Sequence, residues 1–99
     1  MSLHETARWT VTYDIADARR GVRVHRFMRR HGVPLQYSVF LVEASSAEMQ
    51  RLLADLKTHI AWSADDVRAY RWPADAECHE LGAALLPTDI LMPGPATRR

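Results

Sequence analysis

Within residues 8–31 the spacing of apolar side chains changes from every second residue to every third or fourth, and this change restricts the possible folds most. Over Arg8–Ile15, Trp9, Val11, Tyr13 and Ile15 alternate with Thr10, Thr12 and Asp14, the period of a half-buried strand. Asp14 then falls on the face opposite the large apolar groups, at the strand's end. After Ala16, Asp17 is placed to cap a helix over about 18–31. Val24, Phe27, Met28 and His31 form its apolar stripe; Arg19, Arg23, Arg26 and Arg30 lie along the other side. Gly32 suits a left-handed helix cap and Pro34 forbids continuation.

The same alternation of periods recurs downstream. Leu35–Glu43 reads as a strand, either continuous or bent into two short ones. Ser45-Ser46-Ala47-Glu48 has the capping-box pattern, and Met49, Leu52, Leu53, Leu56 and Ile60 give a second helix over about 46–60. Val67–Trp72 reads as a further strand stopped by Pro73, and residues 78–86 have room for one more. Strand, helix, strand, helix, strand in 99 residues predicts an α+β domain with two helices on one antiparallel sheet, most simply a ferredoxin-like sandwich. The expected organisation is an N-terminal extension over 1–7, the domain over 8–86, and a Pro-rich tail over 87–99.

Charge is distributed unevenly. The net charge is +1, yet residues 8–31 hold seven arginines against Asp14 and Asp17. The rest of the chain is mildly acidic. A one-signed arginine stripe on a helix, including neighbouring Arg20, suits phosphate contacts and hence nucleic acid; a solvated face more often mixes both signs. A single cysteine, Cys78, excludes an internal disulfide framework. The first residues lack a signal-peptide pattern and no apolar run approaches a membrane span, so the expectation is a cytoplasmic protein with no membrane partner.

Asp14 is the first candidate for chemistry. A strand-end carboxylate is held rigidly and can be exposed, although such aspartates also cap the following turn. Alone it is a poor Mg²⁺ site; it becomes a ligand if a second Asp14 faces it across a dimer axis and phosphate oxygens complete the shell. The five histidines show no metal spacing and read as structural or surface groups. Cys78 beside His79 has no support as a nucleophile pair, and Ser38 reads as a hydrogen-bonding residue. There is no Gly-rich phosphate loop and no aromatic consensus of an RNA-recognition motif.

Val11-Thr12-Tyr13-Asp14-Ile15-Ala16-Asp17, the arginine-rich helix, Gly32 and Gln36-Tyr37-Ser38-Val39-Phe40 together resemble the smaller of the two universal CRISPR adaptation proteins, the "Cas-two" family. Val67-Arg68-Ala69-Tyr70-Arg71-Trp72 resembles that family's later strand, and the likeness spans roughly 8–82. The resemblance implies a ferredoxin-like homodimer whose C-terminal strands cross to the partner. It also implies a Mg²⁺-dependent endonuclease, with Mn²⁺ as an alternative, acting on double-stranded DNA or RNA. It assigns Asp14 as metal ligand and catalytic aspartate, Tyr13 as its neighbour, Arg23 as a helix arginine of the site, and Phe40 as the aromatic of the second motif. It further implies a role in spacer acquisition, bridging the dimers of a CRISPR integrase subunit. A catalytically silent DNA-binding scaffold and a toxin-like messenger-RNA nuclease are the alternatives on the same fold. Three positions depart from the family pattern: Gly21 and Pro34 stand where basic residues are common, and Leu41 where glutamate is common.

Overall fold

The computed structural model describes residues 3–83. Its elements are β1 (Ala7–Asp14), α1 (Ala18–Arg29), β2 (Val33–Gln36), β3 (Val39–Ala44), α2 (Ser46–Lys57) and β4 (Asp66–Arg71). The four strands form one antiparallel sheet in the order β2-β3-β1-β4. This is the ferredoxin-like arrangement, with both helices on one face.

The period-two pattern of β1 settles which face the helices cover. Val11 and Tyr13 are buried among Val24, Phe27 and Met28 of α1, Phe40, Val42 and Ala44 of β3, and Met49, Leu52 and Leu56 of α2. Thr10, Thr12 and Asp14 therefore line the open face of the sheet. There Thr10 is flanked by Leu41 and Tyr70, Thr12 by Val39 and Arg68, and Asp14 by Asp66. Leu41 is buried although it lies outside the helix-side core. The Trp72 indole donates to Thr10 Oγ1 at 2.6 Å, folding the end of the β4 segment toward this face.

Several expectations are refined. The central segment is bent into two strands, β2 and β3, broken at Tyr37-Ser38 with a register irregularity between Pro34 and Gln36. Pro34 is tolerated because β2 is an edge strand. Gly32 does not adopt a left-handed conformation; the only described glycine with positive φ is Gly82. Its requirement is steric. A Cβ at Gly32 would collide with the Leu41 carbonyl oxygen and approach Val42 Cγ2 to 2.8 Å, so glycine lets the helix exit pass close over β3. His31 is exposed, although its ring lies 4.5 Å from that of Phe27. No strand forms over residues 78–83; the rest of the expected C-terminal strand and the tail lie outside the described residues. Among the described residues no helix is long and apolar enough to cross a membrane.

Candidate nucleic-acid interface and strand-end site

Asp14 is exposed at the last position of β1, directly opposite Asp66 of β4. Among the described residues, no hydrogen bond or ion pair engages its carboxylate. The turn-capping role that competes with function belongs to other residues. Asp17 caps α1, accepting from the Arg20 N–H at 2.9 Å, and Asp65 accepts from the Ala16 N–H at 2.9 Å. Asp66 is held by Arg68 at 3.0 Å. A carboxylate with no local partner, on a rigid strand and facing solvent, is available for a ligand.

Mg²⁺ is commonly bound by one or two carboxylates, with waters and phosphate oxygens completing the octahedron. Asp14 fits that donor set, with Asp66 as its cross-strand neighbour. No cluster of three or more His, Cys, Asp or Glu able to hold a metal occurs among the described residues. Two grooves of about 380 and 330 Å³ are lined by such residues as Arg8, Arg71 and Trp72, and His31, Arg51 and Asp55; neither includes Asp14. An open strand end suits a polymer that lies across the surface better than a small molecule that must be enclosed.

Beneath Asp14, on the core side of β1, Tyr13 is part of a small polar and aromatic cluster. Its hydroxyl donates to the Tyr37 carbonyl oxygen at 3.2 Å and lies 3.1 Å from His25 Nδ1. His25 stacks on Tyr37, with ring centroids 4.9 Å apart and planes 12° from parallel, and meets Phe40 edge-on at 5.4 Å. Burial, and secondarily Tyr37, push the Tyr13 hydroxyl up to about 12. Tyr13 is therefore a neutral hydrogen-bond donor at ordinary pH rather than a base. Phe40 is fully buried and packs on the Tyr13 ring at 6.2 Å, so it supports the strand end from inside the core. His25 and Tyr37 belong to this cluster as well. The sequence offers little to mark them, because their partnership depends on the β2–β3 turn folding onto α1.

The arginines divide into two groups. Arg19, Arg23, Arg26 and Arg30 are exposed on α1, as the helical spacing requires. None of the four forms an ion pair among the described residues; Arg30 sits 5.8 Å over the Phe27 ring. Arg20 differs. It is turned inward and makes a two-pronged pair with Asp65, whose side chain is wholly buried. Arg20 and two backbone N–H groups hold the Asp65 carboxyl well below the usual carboxylate range. The unpaired stripe is on the helix layer and Asp14 is on the opposite, open face. No hydrogen bond or ion pair joins Arg23 to Asp14 among the described residues.

With this geometry in view, comparison with known proteins is specific. The family model described as CRISPR-associated protein Cas2 matches residues 7–77. A CRISPR-associated endoribonuclease Cas2 of Nitrosomonas europaea is 36% identical over 84 residues, covering 85% of this chain and 80% of its own. One from Thermodesulfovibrio yellowstonii is 38% identical over 74 residues, covering 75% of this chain and 81% of its own. Among solved structures, a crystal structure of a Cas2 protein superposes with a TM-score of 0.70 at 28% identity, covering 84% of this chain and 94% of the other. A Streptococcus pyogenes Cas2 crystallised at pH 6.5 shares the fold, with a TM-score of 0.63 at 23% identity over 74% of this chain and 99% of its own. The matched segment contains β1 with Asp14, the arginine helix, the β2–β3 hairpin and β4, and the chain belongs to the Cas2 family of CRISPR-associated proteins.

Proposed function

We propose that this protein is a homodimeric, nucleic-acid-binding endonuclease of CRISPR adaptation, with Asp14 at its centre. The observation that carries this reading is the exposed, unpartnered Asp14 carboxylate, with neighbouring Asp17 and Asp65 fulfilling the structural roles it could otherwise have. Asp14, paired with Asp14 of a second copy across the open sheet face, would hold Mg²⁺, or Mn²⁺ in its place. Such an ion would supply charge neutralisation at a phosphate and lower the pKa of its water. The chain's own part is to hold the carboxylate on a rigid strand end. Tyr13 stays protonated beneath it. The relatives' names make RNA a substrate class to test beside duplex DNA.

A second role is favoured by the unneutralised stripe of Arg19, Arg23, Arg26 and Arg30, which lies on the layer away from Asp14. That surface suits sequence-tolerant duplex binding, as needed by a scaffold that bridges integrase dimers during spacer acquisition. The two roles use different residues and separate experimentally. Asp14→Asn is expected to abolish metal-dependent cleavage and leave duplex affinity unchanged. Arg19→Glu with Arg23→Glu is expected to weaken duplex binding steeply. Equal loss of binding and cleavage in Asp14→Asn contradicts the catalytic assignment, and unchanged affinity in the charge reversal contradicts the scaffold surface.

A further inference from the structure

We propose that the Arg20–Asp65 pair is a positioning device for Asp14 and not part of the phosphate-binding stripe. This inference rests on Asp14 being the working carboxylate. Asp65 Oδ2 accepts from Arg20 Nε at 2.7 Å and from the Ala61 N–H at 2.7 Å; Oδ1 accepts from Arg20 Nη2 at 3.1 Å and from the Ala16 N–H at 2.9 Å. Each oxygen thus has one charged and one backbone donor, and the side chain has no solvent exposure. Four donors from three segments converge on one carboxylate: the β1–α1 turn, the first turn of α1 and the α2–β4 connection.

Those segments bracket Asp14. Ala16, tied to Asp65, is two residues beyond it along the chain; Asp66, the residue after Asp65, is its partner across the sheet. The turn is also tied from its other end, where Asp17 accepts from the Arg20 N–H at 2.9 Å and its carbonyl from the Gly21 N–H at 2.8 Å. Strand ends fray unless they are held. A planar, two-pronged guanidinium–carboxylate contact fixes direction as well as distance, which an ammonium on a flexible stem does not. None of these residues belongs to the apolar core, so the clamp acts on the strand end and not on the packing of the sheet. Its effect on chemistry is through placement, where small displacements have large kinetic consequences.

The test compares wild type with Arg20→Lys, which keeps the charge but loses the fork, and with Arg20→Met. Asp65→Asn serves as a further variant if it folds, since breaking a buried pair is strongly destabilising. With Mg²⁺ and labelled RNA or duplex DNA, Arg20→Lys is expected to lower kcat roughly 10- to 100-fold with KM little changed. Arg20→Met should fall further. The salt dependence of duplex binding should keep its slope in both, whereas each stripe arginine removed should reduce it by about 0.9. Amide hydrogen exchange supplies a readout independent of activity: the Ala16 N–H should exchange faster in Arg20→Lys, while the core amides of Val11 and Val24 keep their protection. A shallower salt slope in Arg20→Met would make Arg20 a phosphate contact and overturn the inference. Uniformly faster exchange would reduce the pair to global stability, and unchanged exchange at Ala16 would show that it does not hold the turn; either overturns the inference. Cleavage that persists in Asp14→Ala would instead remove the nuclease reading, a result distinct from either.

Discussion

Asp14 is free because Asp17 and Asp65 between them satisfy the donors of the turn that follows it. Similar reasoning applies to the two glycines near α1. Gly21 sits inside the helix, and a Cβ there would meet only Ile15 Cβ at an ordinary 3.9 Å. Gly21→Ala is therefore expected to stabilise the fold by about 0.5–1 kcal/mol, read from chemical denaturation. Gly32→Ala should destabilise it, because the Leu41 carbonyl cannot move aside without disturbing β3. Tyr13 gives a pH signature. Its hydroxyl titrates near 10 when unfolded and is pushed up to about 12 in the fold, so the folded chain holds a proton that the unfolded chain releases. This contribution is intact below pH 10 and is lost as pH rises toward 12. The melting temperature should fall more steeply over that window in wild type than in Tyr13→Phe; parallel curves would contradict the assignment. The exposed placement of Asp14 and of the stripe arginines was legible from spacing alone. The inward side of Arg20 follows from helical spacing too, four residues before Val24 and seven before Phe27; its pairing does not, because its partner lies 45 residues away.

At the scale of elements, helix boundaries were legible where polar caps mark them. Ser45 and Glu48 make the reciprocal capping box, with Glu48 N–H to Ser45 Oγ at 3.1 Å and Ser45 N–H to Glu48 Oε1 at 2.8 Å. Ser45→Ala should cost about 1 kcal/mol, with the loss appearing at the start of α2 in hydrogen exchange. The break between β2 and β3 was left open by sequence because Leu35–Glu43 carries alternation throughout; the irregularity at Pro34–Gln36 and the Tyr37–Ser38 turn interrupt it. The turn also brings Tyr37 onto His25, so the cluster under the strand end depends on a tertiary contact that periodicity cannot encode. On α1, the stripe legible from helical spacing predicts a binding surface. Removing Arg26 alone should weaken duplex affinity modestly, without altering any sequence preference.

For the molecule as a whole, the helices cover one face of the sheet and leave Thr10, Thr12, Asp14, Leu41 and Tyr70 on the other. Pairing of this face with a second copy, as proposed above, would bring two Asp14 carboxylates together. Tyr70, about half exposed and opposite Thr10, tests this pairing: Tyr70→Glu should shift sedimentation toward monomer. An unchanged sedimentation coefficient would place the dimer surface elsewhere. The most direct test of the central role given to Asp14 is the single-turnover cleavage rate of labelled RNA and duplex DNA, measured for wild type and Asp14→Ala with Mg²⁺, with Mn²⁺ and with chelator. The expected result is cleavage that needs the metal and vanishes in Asp14→Ala while duplex binding persists. Equal rates in the two proteins, or cleavage undiminished by chelator, would contradict it.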